Sequence, residues 1–214
     1  MLADLQACLE RIYRASCGET VSDYLVTDRV VANSLSDMPI ARGVEETVLL
    51  SQQGDGIEMS VFLDDALLDR LEKMDPINSL SPESLSDLTI VVEGISHFQL
   101  IAWCAKTGRK VTMLELELQA EVDKFVTTTL IAMQQEERDL ASNLHRLLFS
   151  KVTYRDTLSH HEKERYRFAN DYAARFCHRL RARLGSQRAL RELRYFYRLT
   201  QSQKLSHIRA LAWR

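Results

Sequence analysis

Apolar residues recur three and four positions apart near the start of the chain, where Leu2, Leu5, Cys8, Leu9, Ile12 and Tyr13 mark one face of a helix that stops at Gly18. The pattern then changes. Tyr24 to Leu35 is rich in valine and other strand formers and reads as a strand. Glu46 to Ser51 and Ile57 to Leu63 flank Gln52-Gln53-Gly54-Asp55-Gly56, which has the residues a hairpin turn needs. In the second of these runs Ile57, Met59, Val61 and Leu63 alternate with Glu58 and Ser60, so one face is buried. Together they predict a three-stranded antiparallel meander. Asp64 or Asp65 caps a short helix to about Met74, and Asp75-Pro76 with the serines after it marks a boundary between residues 1–80 and 81–214.

Beyond the boundary the period is helical. Ser81-Pro82-Glu83 is a helix start, because serine caps free amides, proline suits the first helical position and glutamate the positive end. That helix runs to about Thr107, with Gly108 ending it. Ile90, Val91, Val92, Ile95, Phe98, Leu100, Ile101, Trp103 and Cys104 leave it almost no polar face, so it belongs in the interior. A β-branched run, Thr89 to Val92, is the alternative signal for a short strand ending near Gly94. Thr112 and Glu115 form a capping box for a partner helix with Leu114, Leu118, Val122, Phe125 and Met133 on its stripe, although Val111 to Leu118 also alternates as a strand does. Leu140, Leu144, Leu147 and Leu148 continue the helical pattern. Ser159 and Glu162 open a long helix that ends at Gly185, and Leu190 to Tyr197 and Leu205 to Leu211 predict further helices. The expected fold is α+β and predominantly helical: a small meander followed by a multi-helix body.

Composition adds little, and charge adds more. The 214 residues suffice for one substantial core or a small domain joined to a helical one. Cys8, Cys17, Cys104 and Cys177 show no metal-ligand spacing and read as free thiols. Asp4 and Glu10 depart from a signal-peptide profile, and Glu93, His97 and Gln99 within Leu88 to Ala105 make that segment a core helix rather than a membrane span. A cytoplasmic protein without membrane contact is expected. The net charge of −2 conceals 12 basic against 25 acidic residues up to position 150, and 16 against 5 after it. Such halves either face each other or hold separate electrostatic partners.

Two groups of residues carry candidate chemistry. Glu93 and His97 are neighbours on an apolar helix, and an antiparallel partner brings Glu117 or Glu121 towards them. Buried carboxylates need hydrogen bonds, a counter-charge, a metal or a proton. The cluster is therefore either a structural network in which a carboxylate satisfies His97, the favoured reading, or a divalent-metal or acid-base site at Glu93, His97, Glu117 and Glu121. Its spacing matches neither Glu-x-x-His nor His-Glu-x-x-His. The second group is the arginine rows, Arg175, Arg179 and Arg183 and then Arg191, Arg194 and Arg198, with Tyr195 and Tyr197 between the latter. They suit a phosphate backbone or an acidic protein. His160-His161-Glu162 reads as solvated cap residues, and Arg155 with His160 has the arginine-to-histidine spacing of some small helical ribonucleases, a two-residue pattern that chance accounts for. The function expected from the sequence is a non-catalytic accessory protein binding a macromolecule, nucleic acid or acidic protein, through its arginines. The alternative is a metal-dependent hydrolase or nuclease built on Glu93, His97 and Glu121.

Overall fold

A computed structural model describes residues 1–53, 56–150, 152 and 158–211. Its centre is an antiparallel helix pair, α4 (Pro82–Lys106) and α5 (Met113–Gln134), joined by a short loop at Gly108. Ser81 caps α4 and is capped in return by Ser84, while the Thr112 hydroxyl accepts the Glu115 amide at the start of α5. These local bonds fix where each helix begins. The β-branched run Thr89 to Val92 is helical, because the cap and the apolar surroundings of α4 outweigh its strand preference. Val91, Ile95, Phe98 and Leu100 are fully buried on α4, as are Leu118 and Val122 on α5.

The remaining helices wrap this pair. Helix α1 (Leu2–Tyr13) packs on α4; α6 (Arg138–Phe149) and α7 (His160–Leu180) pack on α5; α8 (Gln187–Arg198) lies on α1. The last helix, α9 (Gln201–Leu211), docks against α7. One hydrophobic cluster runs from Leu5 to Ile208 and includes residues on both sides of Asp75-Pro76.

The sheet differs from the expected meander. Its strands are β1 (Leu25–Val26), β2 (Glu46–Gln53) and β3 (Gly56–Leu63), in the order β1-β3-β2. The hairpin β2-β3 is antiparallel, but β1 pairs parallel with β3 at Leu25–Val61 and Val26–Phe62, so the sheet is mixed. Gly54 and Asp55 of the expected turn lie outside the described residues. The expected strand Tyr24 to Leu35 fails for a local reason. The Asp28 carboxylate accepts the Val30 and Val31 amides at 2.6 and 3.2 Å, which starts helix α2 (Arg29–Ser34) instead. With only two residues left to it, β1 adds to the far side of β3. Ala32, Leu49 and Phe62 form a second small core there, with Val26 and Ile40. Helix α3 (Asp65–Met74) then returns the chain to α4.

Beneath the apolar packing lies a dry polar network. Asp123 on α5 accepts from the Tyr13 hydroxyl of α1, from Ser96 Oγ of α4 at 2.6 Å and from Gln119 Nε2 at 2.9 Å. Lys204 of α9, wholly buried, donates to Gln119 Oε1 at 2.8 Å and lies 3.5 Å from Glu115, which also receives Arg109 at 2.7 Å. Burial lowers the Lys204 pKa to about 8 and raises that of Asp123 to about 6. Four helices thus share one buried hydrogen-bonded unit.

Phe98 is central to the apolar side of this arrangement, with no exposed surface and its ring 5.1 Å from that of Tyr24. Phe98→Ala should lower the unfolding free energy by about 3–5 kcal/mol through lost burial and a cavity. Chemical denaturation measures this, and a loss under about 1 kcal/mol would place the ring outside the stabilising core.

Candidate functional site

The face of α5 turned away from the Asp123 network carries Glu117, Glu121 and Lys124, spaced as successive turns of one stripe. Opposite it, α4 presents Glu93 and His97. Lys124 Nζ donates to Glu93 Oε2 at 3.0 Å and to Glu121 Oε1 at 2.5 Å. His97 Nε2 faces Glu117 Oε2 at 3.8 Å. All four acidic and imidazole residues singled out from the sequence therefore meet in space, and Lys124 joins them.

The strand β2 adds a further member. The Glu46 side chain reaches α4, where its Oε1 stands 3.5 Å from His97 Nδ1. That approach depends on Gly94. A Cβ there would lie 3.0 Å from Glu46 Cγ and 3.2 Å from Leu63 Cδ2, inside ordinary contact distance, so only glycine lets the sheet come this close to the helix. Glu46 was legible only in retrospect. It shares a strand face with Val48 and Leu50, and an acid at an inward position of an alternating run is itself a signal. The signal in Lys124 is its place one turn beyond Glu121 on a buried helix.

These groups form the floor of an open cleft of about 770 Å³. Apolar side chains line its sides, among them Leu35, Met38, Ile90, Ile101 and Leu116. Burial raises the carboxyl pKa of Glu117 to about 7, with His97 opposing the shift, and also raises those of Glu46 and Glu121. Burial works against charge on His97, yet the facing Glu46, Glu117 and Glu93 carboxylates prevail and hold it at about 9. Lys124 is likewise held charged by Glu93 and Glu121 against its burial. Glu46 Oε1 and His97 Nε2 are buried and meet no hydrogen-bond partner among the described residues. Glu46, Glu93 and His97 each offer a donor atom, and these atoms lie within 4.8 Å of one another.

The arginine rows are placed differently. Arg183 pairs with Glu192, and Arg179 donates to the Leu211 carbonyl. Arg194 donates to the Ile12 carbonyl, and Arg198 to those of Tyr13 and Arg14, so both cap the C-terminal end of α1. Arg175 lies over the Tyr172 ring, and Arg191 is exposed. A second set of donors, His160, His161 and Glu164, is clustered at the first turn of α7, mostly in solvent, where the positive helix end opposes a cation. Glu162 caps Ser159 as expected, and Arg155 lies outside the described residues. Comparison with protein-family models, with curated proteins and with solved structures gives no match.

Two outcomes follow from the cluster's electrostatics. The folded pKa of His97 is raised from 6.5 to about 9, so its stabilising contribution is complete below pH 6.5 and disappears as pH rises to about 9. Glu117, raised from 4.5 to about 7, acts in the same direction over its own interval. Denaturation of wild type in chelator, across pH, should show that decline, and His97→Gln should remove its upper part. An unchanged slope in the variant would refute the assignment. Lys124→Met should cost about 3 kcal/mol at neutral pH, because it leaves Glu93 and Glu121 without their shared cation, and Lys124→Arg should recover part of it. A neutral Lys124→Met would show that the carboxylates are relieved by water instead.

Proposed function

We propose that the protein is a metal-dependent hydrolase that uses the Glu46, Glu93 and His97 donors as its ligand set. The observation that carries this reading is the convergence of those three groups, from β2 and α4, at the floor of an open cleft, with Glu46 Oε1 lacking a hydrogen bond. Two donors about 2.1 Å from a tetrahedral metal stand roughly 3.4 Å apart. The 3.5 Å between Glu46 Oε1 and His97 Nδ1 is that spacing. Two carboxylates and one imidazole suit zinc, manganese or ferrous iron, and three protein ligands leave positions for water and a substrate oxygen. An ion held by Glu46, Glu93 and His97 would supply an acidified water and a Lewis acid. Glu117 faces the other nitrogen of His97, where a carboxylate orients a ligating ring, and its pKa near neutrality suits it to accept a proton. Lys124 offsets the excess of carboxylates and can hold a polarised substrate oxygen.

Binding of an acidic macromolecule through the arginines ranks second. Four of those six side chains, Arg179, Arg183, Arg194 and Arg198, are already bonded within the chain.

Protein purified without added metal, or dialysed against zinc or manganese, should hold close to one equivalent by elemental analysis. His97→Ala should hold none. Chelation should lower the melting temperature of wild type and leave that of His97→Ala unmoved, since an ion bound only to the native state adds to its stability. Loaded wild type should turn over members of a chromogenic ester and phosphodiester panel that His97→Ala does not. Failure of wild type to retain any of these ions would overturn the proposal and return the cluster to a structural role.

A further inference from the structure

The cleft has a charged floor, but one of its sides is polypeptide backbone. In the order β1-β3-β2, strand β2 is an edge. Five successive residues, Glu46 to Leu50, line the cleft. Side chains of a strand alternate between faces, so five in a row reach one space only where that space runs along the strand's edge. The two faces confirm this: Leu49 packs in the small core with Ile40, while Val48 packs towards the main core.

The ladder identifies the backbone groups that point into the cleft. The Glu45 carbonyl accepts the Asp64 amide at 2.9 Å, and the register Glu46–Leu63 sets Glu45 opposite Asp64. Glu45 and Asp64 are therefore a hydrogen-bonded pair, and pairs of this kind alternate along an antiparallel ladder. Thr47 and Leu49 consequently turn their amides and carbonyls to β3. Glu46, Val48 and Leu50 turn theirs outward. Among the described residues no donor or acceptor meets those outward groups. From Glu46 to Ser51 the strand has no proline, lysine or bulge, and the one charge on it, Glu46, is turned inward to His97.

From these groups we infer that the cleft receives an extended peptide, which adds to β2 as a fourth strand and is the substrate class of the proposed hydrolase. Outward amide and carbonyl sets on alternate residues repeat every 6–7 Å or so, which is the repeat of any extended polypeptide. A fatty chain has neither donors nor acceptors, and a nucleic-acid backbone has no N–H group to give to the outward carbonyls. The peptide residue across from Glu46 projects to the same side as the Glu46 carboxylate, towards His97 and Glu93. Carboxylates outnumber cations there, so that position takes a neutral or basic side chain and rejects an acidic one. Residues across from Val48 and Leu50 project to the same side as those two side chains, in a cleft whose lining also includes the apolar Ile90, Ile101 and Met113. In the reaction one water is consumed: its oxygen bonds to the peptide carbonyl carbon, the C–N bond breaks, and the departing nitrogen takes a proton. The chemistry rests on the hydrolase reading, but the binding does not.

The test uses octapeptides selected from a random library on immobilised wild-type protein, then measured by fluorescence anisotropy in chelator and again in zinc. Methylating the amides of one parity should weaken binding about tenfold or more, and methylating the other parity should leave it unchanged, since only alternate amides face β2. On the protein, Leu50→Pro removes an outward amide that the ladder does not use, whereas Leu50→Ala keeps it. Leu50→Pro should lose binding to the same degree with its circular dichroism unchanged, and Leu50→Ala should bind. If Leu50→Pro misfolds, the methylated peptides on wild type decide the matter alone. Failure to select any peptide, or equal effects of both parities, would overturn the inference, and a metal-loaded, ester-cleaving wild type would then show that the hydrolase reading survives without it. Parity-dependent binding to protein that holds no metal would support the peptide groove and remove the hydrolase.

Discussion

The structure depends on hiding charge along α5. Glu115, Gln119 and Asp123 form one polar stripe on this helix, and Glu117, Glu121 and Lys124 another, on nearly opposite sides. A buried helix with two such stripes can exist only where each finds partners, because an unpaired charge in the interior costs several kcal/mol. The neighbours supply them. Tyr13, Ser96, Arg109 and Lys204 answer the first stripe, and His97 and Glu93 with Glu46 meet the second. The positions of α1, α4, α9 and β2 follow from this requirement as much as from apolar packing.

The two stripes differ in how completely they are satisfied. Around Asp123 the carboxylate, Ser96, Gln119 and Lys204 are buried and joined by hydrogen bonds of 2.6 to 2.9 Å, with Arg109 Nε the one buried atom of that group lacking a partner among the described residues. Around His97 the separations are 3.5 and 3.8 Å, two buried atoms lack hydrogen bonds, and the cleft admits solvent. Buried polar networks are stabilising when complete and costly when partial. The first network therefore ties four helices together, while the second is the less completely satisfied of the two.

Much of this was readable from residue order. The helix pair came from caps at Ser81 and Thr112 and from apolar periodicity, both of which act within a few residues. Convergence of Glu93, His97, Glu117 and Glu121 followed from a short loop between antiparallel helices. What escaped was non-local. Whether Tyr24 to Leu35 forms a strand was decided by one carboxylate, Asp28, against five β-formers, and the sheet's mixed order followed from that. Glu46 was hidden because its importance lies in a contact with residues about fifty positions away. The arginine rows illustrate the opposite error: their spacing is real, yet carbonyl groups at the end of α1 claim two of them, and periodicity cannot report a distant backbone oxygen.

Gly94 puts two requirements of the chain in opposition. A helix interior is more stable with alanine than with glycine by roughly 1 kcal/mol, so considered alone α4 would improve by the exchange. The added methyl would instead push against Glu46 Cγ and Leu63 Cδ2 and lift the sheet from the helix. Glu46 would draw back from His97, and the strand edge beside it would shift as well. One hydrogen atom in place of a methyl group therefore sets the gauge of the cleft, and the helix accepts a weaker backbone to keep that gauge narrow.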